Sequence, residues 1–227
     1  LANANLVIDS KKFPWTQQED FFNSNVQQRD KIFYPEIITG WSIPKSQDHV
    51  NDIFSRSGAE NAPSITQKDL IYEKGSIGAD DWRFRQWFRD EPSTTGAGRS
   101  YLLKYTWNGS PMGNLHPVVA PAVRLTEMYY IAAEASFDSD PAKAAGYIDT
   151  VRFHRGIGTL VPKTLSKADF TKVLIEEARK EFYGESQIYF MHKRLNRDII
   201  NTNGLVYPAS DKIFVFPLPL DELSYRN

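Results

Sequence analysis

From residue 121 onward, apolar side chains recur at the spacing of an amphipathic helix, and this periodicity constrains the fold more than any other feature of the sequence. The first stripe includes Leu125, Met128 and Ala132, which repeat at intervals of three and four residues and would therefore line one helix face. The stripe ends near Phe137. The pattern predicts a helix over 121–137.

Capping residues predict where the following helices begin and end. Asp140 precedes Pro141, which places an N-cap residue before proline at the first helical position. Gly156 would end that helix, and Ser166 opens a capping-box-like pattern for the next one. The last helix is expected from about 186 to 198. We therefore expect four helices, the first two packed antiparallel as in one tetratricopeptide-type unit.

The apolar stripes of these helices also predict the core of this half. The side chains expected to be buried are Leu125, Met128, Ala132, Ile148, Val151, Val173, Leu174 and Phe182. Packing of such side chains is needed to hold the helices, because isolated helices of this length are marginal in water.

The first half of the chain has a different character, because proline and glycine interrupt it often. The pattern predicts loops and short strands, with one short helix at 82–88 and an aromatic-rich strand at 101–107. All five tryptophans precede residue 115, and they are Trp15, Trp41, Trp82, Trp87 and Trp107.

These patterns together predict a mainly α-helical fold with a loop-rich first half that carries short strands. We expect a single domain over 1–227. Within it, 1–115 would form the loop- and aromatic-rich region, and 116–227 would form the helical region followed by an extended tail.

Composition excludes several classes of protein. The chain has 27 basic and 28 acidic residues, whereas nucleic-acid binding is normally accompanied by a basic excess. Cysteine is absent, which excludes disulfide scaffolds, thiolate zinc sites and cysteine nucleophiles. The histidines are far apart and form no H-E-x-x-H pattern. We expect no metal, no cofactor and no nucleic-acid partner.

Catalytic motifs are weakly represented. The sequence has no G-x-S-x-G motif, so no nucleophile-elbow hydrolase is indicated. Asp80, Asp81 and Glu91 could supply the paired carboxylates of a glycoside hydrolase, and this enzyme remains an alternative. We expect a protein without catalytic residues.

The aromatic residues of the first half suggest a binding surface. A flat ring beside polar loop groups suits a sugar, whose C–H groups pack on the ring face while its hydroxyls form hydrogen bonds. The alternative is that these rings form the core of a region that is poor in regular structure. The candidate ligand-binding residues are Trp82, Trp87 and Trp107, followed by Trp41 and Tyr105.

Four segments of the second half carry a family resemblance. They are RLTEMYYIAAEA at 124–135, AAGYIDTVRFHRG at 144–156, EARKEFYGESQIYFMHKR at 177–194 and FPLPLDELSYRN at 216–227. In this order, they resemble motifs of the SusD/RagB family of bacterial outer-membrane nutrient-binding lipoproteins. Residues 1–115 match the family only loosely.

The resemblance implies a non-enzymatic role in nutrient uptake. Such a protein would bind a nutrient, most simply an oligosaccharide used in polysaccharide utilisation, and deliver it to a SusC-like TonB-dependent transporter. Binding of a peptide or protein by tetratricopeptide-like helices is a second alternative. The resemblance also implies a surface-exposed position at the outer membrane, with a lipid anchor on a residue not present in this chain. The N-terminal part of the family fold would then be missing.

Overall fold

A computed structural model describes residues 1–45, 48, 50–57, 59, 61–107, 109, 113–201, 203–219 and 222. Contacts divide the chain into two units, Leu1–Gly184 and Glu185–Asn227. The composition changes near residue 115 instead, so contacts and composition divide the chain at different places. The last segment of the family resemblance, 216–227, lies partly outside the described residues.

The first unit contains α-helices and short strands. Its helices are α1 (Ala2–Ser10), α2 (Gln18–Phe21), α3 (Ile65–Ile71), α4 (Trp82–Gln86), α5 (Leu125–Ser136), α6 (Pro141–Phe153) and α7 (Lys167–Glu181). Its strands are β1 (Ile37–Ser42), β2 (Phe88–Glu91), β3 (Arg99–Leu102) and β4 (Val119–Arg124). The second unit contains α8 (Gln187–Leu195), β5 (Ile199–Ile200), β6 (Val206–Tyr207) and α9 (Asp211–Phe214).

The four helices predicted in the second half are present as α5 to α8. The short connection between α5 and α6 turns the chain back, so the two helices pack antiparallel. The Asp140 side chain caps α6 by accepting a hydrogen bond of 2.9 Å from the Lys143 backbone N–H. Ser166 caps α7 in the same way through the backbone N–H of Asp169.

The first of these helices begins later than predicted. It starts at Leu125 because the preceding residues, Val119–Arg124, pair antiparallel with β1. Pro121 lies in this pairing opposite Gly40. Proline is tolerated at such a position because the two-stranded sheet has open edges.

The predicted core of the helical half is largely confirmed. Met128 and Val173 are half-buried, because they lie at the sides of their apolar stripes. The buried members are Leu125, Ala132, Ile148, Val151, Leu174 and Phe182.

The described strands of the first unit form short two-stranded sheets. β1 pairs with β4 and β2 pairs with β3, both antiparallel. The helix predicted at 82–88 is confirmed as α4 but ends at Gln86, because Phe88 begins β2. Its N-cap Asp81 accepts a hydrogen bond from the Arg83 backbone N–H. The strand predicted at 101–107 is wrong beyond Leu102, where β3 ends.

Aromatic rings supply the core where regular structure is scarce. Phe21 stacks on Phe33 with 5.0 Å between ring centroids and lies 5.9 Å from Trp82. Trp87 and Leu102 complete the buried cluster. Large rings suit this region because each one buries more apolar surface than any aliphatic side chain.

A buried ion network centred on Glu181 connects the two compositional halves. Its carboxylate accepts hydrogen bonds from Arg83 and from Arg155, each with an N–O distance of 3.0 Å. Arg124 lies 3.3 Å from the same carboxylate. Burial alone would raise the pKa of Glu181, but Arg155, Arg124 and Arg83 outweigh it and hold this pKa well below its usual range.

The network extends through further charged pairs. Arg152 donates to Glu177 at 2.8 Å, and Lys180 lies 3.0 Å from the same carboxylate. The cationic members, all buried, are Arg83, Arg124, Arg152, Arg155 and Lys180. Carboxylates from Glu36, Glu73, Asp81, Glu177 and Glu181 compensate them. A buried network of this kind fixes which segments meet more than it adds stability.

Candidate functional site

Two of the five candidate ligand-binding residues lie in the core. Trp87 is 0% exposed and donates from its indole nitrogen to the Lys31 carbonyl at 2.7 Å. Trp82 is 9% exposed and packs against Phe21. Neither ring presents a face to solvent, so the expectation that Trp82 and Trp87 form a sugar platform is corrected by the structure. They belong to the core because this region has little regular structure, and its large aromatic rings supply much of the buried apolar surface.

The other three candidates remain accessible. Trp41 lies on β1 opposite Ala120 and is 68% exposed. Tyr105 and Trp107 are half-buried and line one cleft. Partial exposure is what a stacking surface requires, since one ring face must pack on the protein while the other stays available.

Three chain segments form this cleft, which is open to solvent. They are residues 27–32, 104–107 and 114–119. The Leu115 backbone N–H donates to the Gln27 carbonyl at 2.8 Å, which joins the first and third segments. The Lys31 ammonium donates to the Thr106 carbonyl, which joins the first and second. The lining residues are Gln27, Arg29, Lys31, Ile32, Lys104, Tyr105, Thr106, Trp107, Asn114, Leu115, His116, Pro117 and Val119.

The cleft combines aromatic rings with polar groups of both donor and acceptor type. Tyr105 and Trp107 supply flat apolar faces, while Gln27 and Asn114 supply side-chain amides. An amide has both a carbonyl acceptor and an NH₂ donor, so it can match a sugar hydroxyl in either role. The lining is therefore suited to binding a polyhydroxylated ligand.

Cations are concentrated in the same cleft. Arg29 and Lys31 are half-buried, and Lys104 is 1% exposed. The Lys104 ammonium lies 4.0 Å from the centroid of the Trp87 ring and donates to the Glu181 carbonyl at 3.2 Å. Burial, followed by repulsion from Arg29, lowers the pKa of Lys31 to about 8. Lys31 therefore still carries its proton at neutral pH.

His116 and Tyr34 form a stacked pair that the sequence did not reveal. Their ring centroids are 3.5 Å apart with an interplanar angle of 6°. Burial lowers the pKa of His116 below its usual value, which keeps the ring neutral at neutral pH. His116 also has a positive φ of 50°, a conformation that is uncommon outside glycine but that histidine adopts more often than most residues. Tyr34 and His116 are far apart in the sequence, so no local motif predicts that their rings stack.

The carboxylates considered for glycoside hydrolysis have different environments. Asp81 is fully buried, and its carboxylate forms a bidentate pair with Arg83 at 2.9 and 2.7 Å. It is therefore not accessible to a saccharide. Asp80 and Glu91 are exposed.

The described part of the chain contains neither a cluster of metal-ligating side chains nor a helix that could span a membrane. No group of three or more histidine or carboxylate side chains there is placed to hold a metal ion. None of the described helices combines the length and apolar character that crossing a bilayer would require.

Sequence comparison assigns the family. The profile of the SusD family matches residues 8–214. The chain belongs to the SusD family. No curated protein matches this SusD-family sequence.

Solved structures show the same fold. A SusD superfamily protein from Bacteroides vulgatus ATCC 8482 has 17% identity and a TM-score of 0.74, with 98% of this chain and 52% of that chain covered. A SusD-like carbohydrate binding protein from the same strain has 16% identity and a TM-score of 0.68, covering 100% of this chain and 54% of that chain. This SusD-family chain therefore spans about half the length of the structures that it matches.

A third solved structure contains a ligand. It is surface glycan-binding protein A from Bacteroides thetaiotaomicron in complex with laminarihexaose. It shares 16% identity with this SusD-family chain and has a TM-score of 0.63, with 100% of this chain and 57% of that chain covered. At this identity, the similarity establishes the fold.

Proposed function

We propose that the chain binds a glycan in the cleft lined by Tyr105 and Trp107 and does not change it chemically. The observation that carries this proposal is the lining of the cleft. Tyr105 and Trp107, both candidates predicted from the sequence, line it together with the amide residues Gln27 and Asn114. Membership of the SusD family supports it. The similar structure in complex with laminarihexaose also supports it.

The proposal extends to the cellular role of the protein. The chain would act at the outer surface of the outer membrane as part of a lipid-anchored protein. It would pass its glycan to a SusC-like TonB-dependent transporter. Co-purification with a transporter encoded beside its gene would test this step. Failure of that transporter to associate would contradict delivery and leave glycan binding to be tested on its own.

Binding measurements on purified protein test the ligand. A panel of neutral and acidic oligosaccharides, with peptides included, is titrated by calorimetry. Trp107→Ala and Tyr105→Ala should each weaken glycan binding about tenfold or more, since removing a packed aromatic face costs about 1.5–3 kcal/mol. Phe153→Ala is the matched control, because Phe153 is 71% exposed and lies outside the cleft lining.

The same panel separates the alternatives. Binding of peptides and no glycans would favour the peptide-binding module. Turnover of chromogenic glycosides would favour a hydrolase, which would then depend on Asp80 and Glu91, because Asp81 is buried against Arg83. Equal glycan affinity of the wild type and both cleft variants would contradict the proposed site.

A further inference from the structure

We propose that the cleft selects an anionic saccharide, one that carries carboxylate or sulfate groups, and that Arg29 and Lys31 recognise the anionic group. This inference rests on the proposed function, because it names the class of glycan that the same cleft would bind. The two charged side chains lie in one segment of the lining, beside the aromatic residues Tyr105 and Trp107.

The charge of the cleft lining is one-sided. Arg29, Lys31 and Lys104 are positively charged. His116 also lines the cleft, and its lowered pKa keeps its ring neutral at neutral pH. Among the described lining residues there is no aspartate or glutamate. The whole chain has 27 basic and 28 acidic residues, so the lining departs locally from a balanced composition. An enclosed surface with charges of one sign concentrates ligands of the opposite sign.

The partners of Arg29 and Lys31 in the described residues are neutral. Arg29 donates to the Asn23 carbonyl at 2.8 Å and to the Gln86 side-chain oxygen at 3.2 Å. Lys31 donates to the Thr106 carbonyl. Arginine has five N–H donors and lysine has three, so both side chains retain donors for an additional acceptor.

Lys68 and Lys180, two buried lysines of the same unit, each have a carboxylate partner. Lys68 is 3% exposed and forms an ion pair of 2.6 Å with Asp90. Lys180 is fully buried and lies 3.0 Å from the Glu177 carboxylate. Lys31 is half-buried without a carboxylate partner in the described residues. Because a desolvated charge is costly without compensation, a ligand that brings a carboxylate or sulfate would supply the missing charge.

The lowered pKa of Lys31 agrees with this arrangement. Burial and the neighbouring Arg29 both disfavour the protonated amine. A bound carboxylate or sulfate would oppose both effects and favour the ammonium form. The geometry also suits Arg29, since its planar guanidinium can donate two parallel hydrogen bonds to such a group.

A comparison of matched tetrasaccharides tests the inference. The probes are a galactose tetramer, a galacturonic acid tetramer of the same linkage and a sulfated galactose tetramer, each titrated into the 227-residue chain. Hydrogen bonds to charged groups contribute about 1.5–3 kcal/mol, so at least one acidic tetramer should bind about tenfold more tightly than the neutral one. Comparing the two acidic tetramers identifies which anionic group is preferred.

Variants locate the preference. Lys31→Gln should reduce the acidic-to-neutral affinity ratio to about threefold or less, whereas Lys31→Arg, which keeps the charge, should preserve it. Lys163→Gln is the control, since Lys163 is exposed and outside the lining. Circular dichroism checks that each variant is folded, and the wild-type comparison stands without any variant.

The outcomes distinguish this inference from the proposed function. Equal affinity of the wild type for neutral and acidic tetramers would overturn anion selection while leaving glycan binding intact. A preference that persists in Lys31→Gln would overturn the assignment to that residue. Absence of binding to every saccharide would overturn the proposed function, and the inference with it.

Discussion

The Arg155 guanidinium forms a bidentate pair with the Glu36 carboxylate, with N–O distances of 3.0 and 2.6 Å, although the residues are 119 positions apart in the sequence. Both side chains are fully buried. Arg155 also donates to Glu181 at the end of α7. One side chain therefore connects the loop-rich first half with the helical second half.

Removing one partner of this pair should destabilise the chain strongly. Arg155→Leu would leave Glu36 buried without its cation, and breaking a buried ion pair in this way costs about 3–5 kcal/mol. Urea unfolding measures the change. The control is Lys167→Ala, which removes an exposed pair with Asp138 and should change the free energy of unfolding by about 0.5 kcal/mol or less. Equal effects of the two substitutions would contradict the connecting role of Arg155.

Gly156 offers a test of the backbone beside that arginine. It has a φ of +81°, and an added Cβ would lie 2.3 Å from the Trp82 indole nitrogen. Gly156→Ala should therefore destabilise the chain by more than about 1 kcal/mol. Gly146→Ala in α6 is the matched control, because its Cβ would meet nothing within 4 Å. It should stabilise the helix by about 0.5–1 kcal/mol.

Thermal unfolding of the two glycine variants would show shifts of opposite sign. Two shifts in the same direction would mean that the turn around Gly156 is built differently.

Substitution of a buried tryptophan and of a half-buried tryptophan should have different effects on stability and on glycan binding. Trp87→Ala removes a fully buried ring and should cost about 3–5 kcal/mol of unfolding free energy. Trp107→Ala removes a half-buried ring at the cleft and should cost less stability while weakening glycan binding. Denaturant unfolding and calorimetric titration of both variants check this. A Trp107 variant that unfolds as readily as the Trp87 variant would place Trp107 in the core as well.

Asp30 should make stability decrease as pH rises. Burial raises its pKa to about 6, although hydrogen bonds from the Tyr34 and Ile32 backbones and from Thr16 partly oppose this. The unfolded carboxyl ionises near 3.8, so between about pH 4 and 6 the unfolded state binds fewer protons, and its free energy falls relative to that of the folded state as pH rises. The stabilisation that the buried, protonated Asp30 carboxyl contributes below about pH 4 is therefore lost above about pH 6.

Asp30→Asn tests this contribution because it cannot ionise. The wild type should lose stability relative to the variant between about pH 4 and 6, by at most about 3 kcal/mol. Urea unfolding at pH 4, 5, 6 and 7 measures the difference. Parallel pH profiles of the two proteins would show that Asp30 does not titrate in this range.

Local sequence patterns predicted the helical half well, because its apolar residues repeat at helical spacing and its helix starts carry capping residues. The stripe that contains Leu125 and Ala132 identified the buried face of α5, and Asp140 identified the start of α6. The start of α5 was misplaced because the residues before Leu125 are held as a strand by β1, far away in the sequence. No local signal shows such a pairing.

The candidate site was only partly predictable. Trp87 and Trp107 are the same residue type, yet one is buried under Lys104 and the other lines the cleft. Lys31 is joined to the segment of Tyr105 and Trp107 by a hydrogen bond to the Thr106 carbonyl, 75 positions away in the sequence. Long-range contacts of this kind decide exposure, and composition does not reveal them.

The indole N–H signals of the tryptophans provide the most direct test of glycan binding in the cleft. In a ¹⁵N-labelled sample, the chain's five tryptophans give separate signals, assigned by substitution, and the tightest-binding tetrasaccharide is titrated in. We predict that the Trp107 signal shifts in proportion to saturation, while the signal of Trp15, which stacks on His154 outside the cleft lining, stays in place. Saturable binding that leaves the Trp107 signal unmoved would contradict the account.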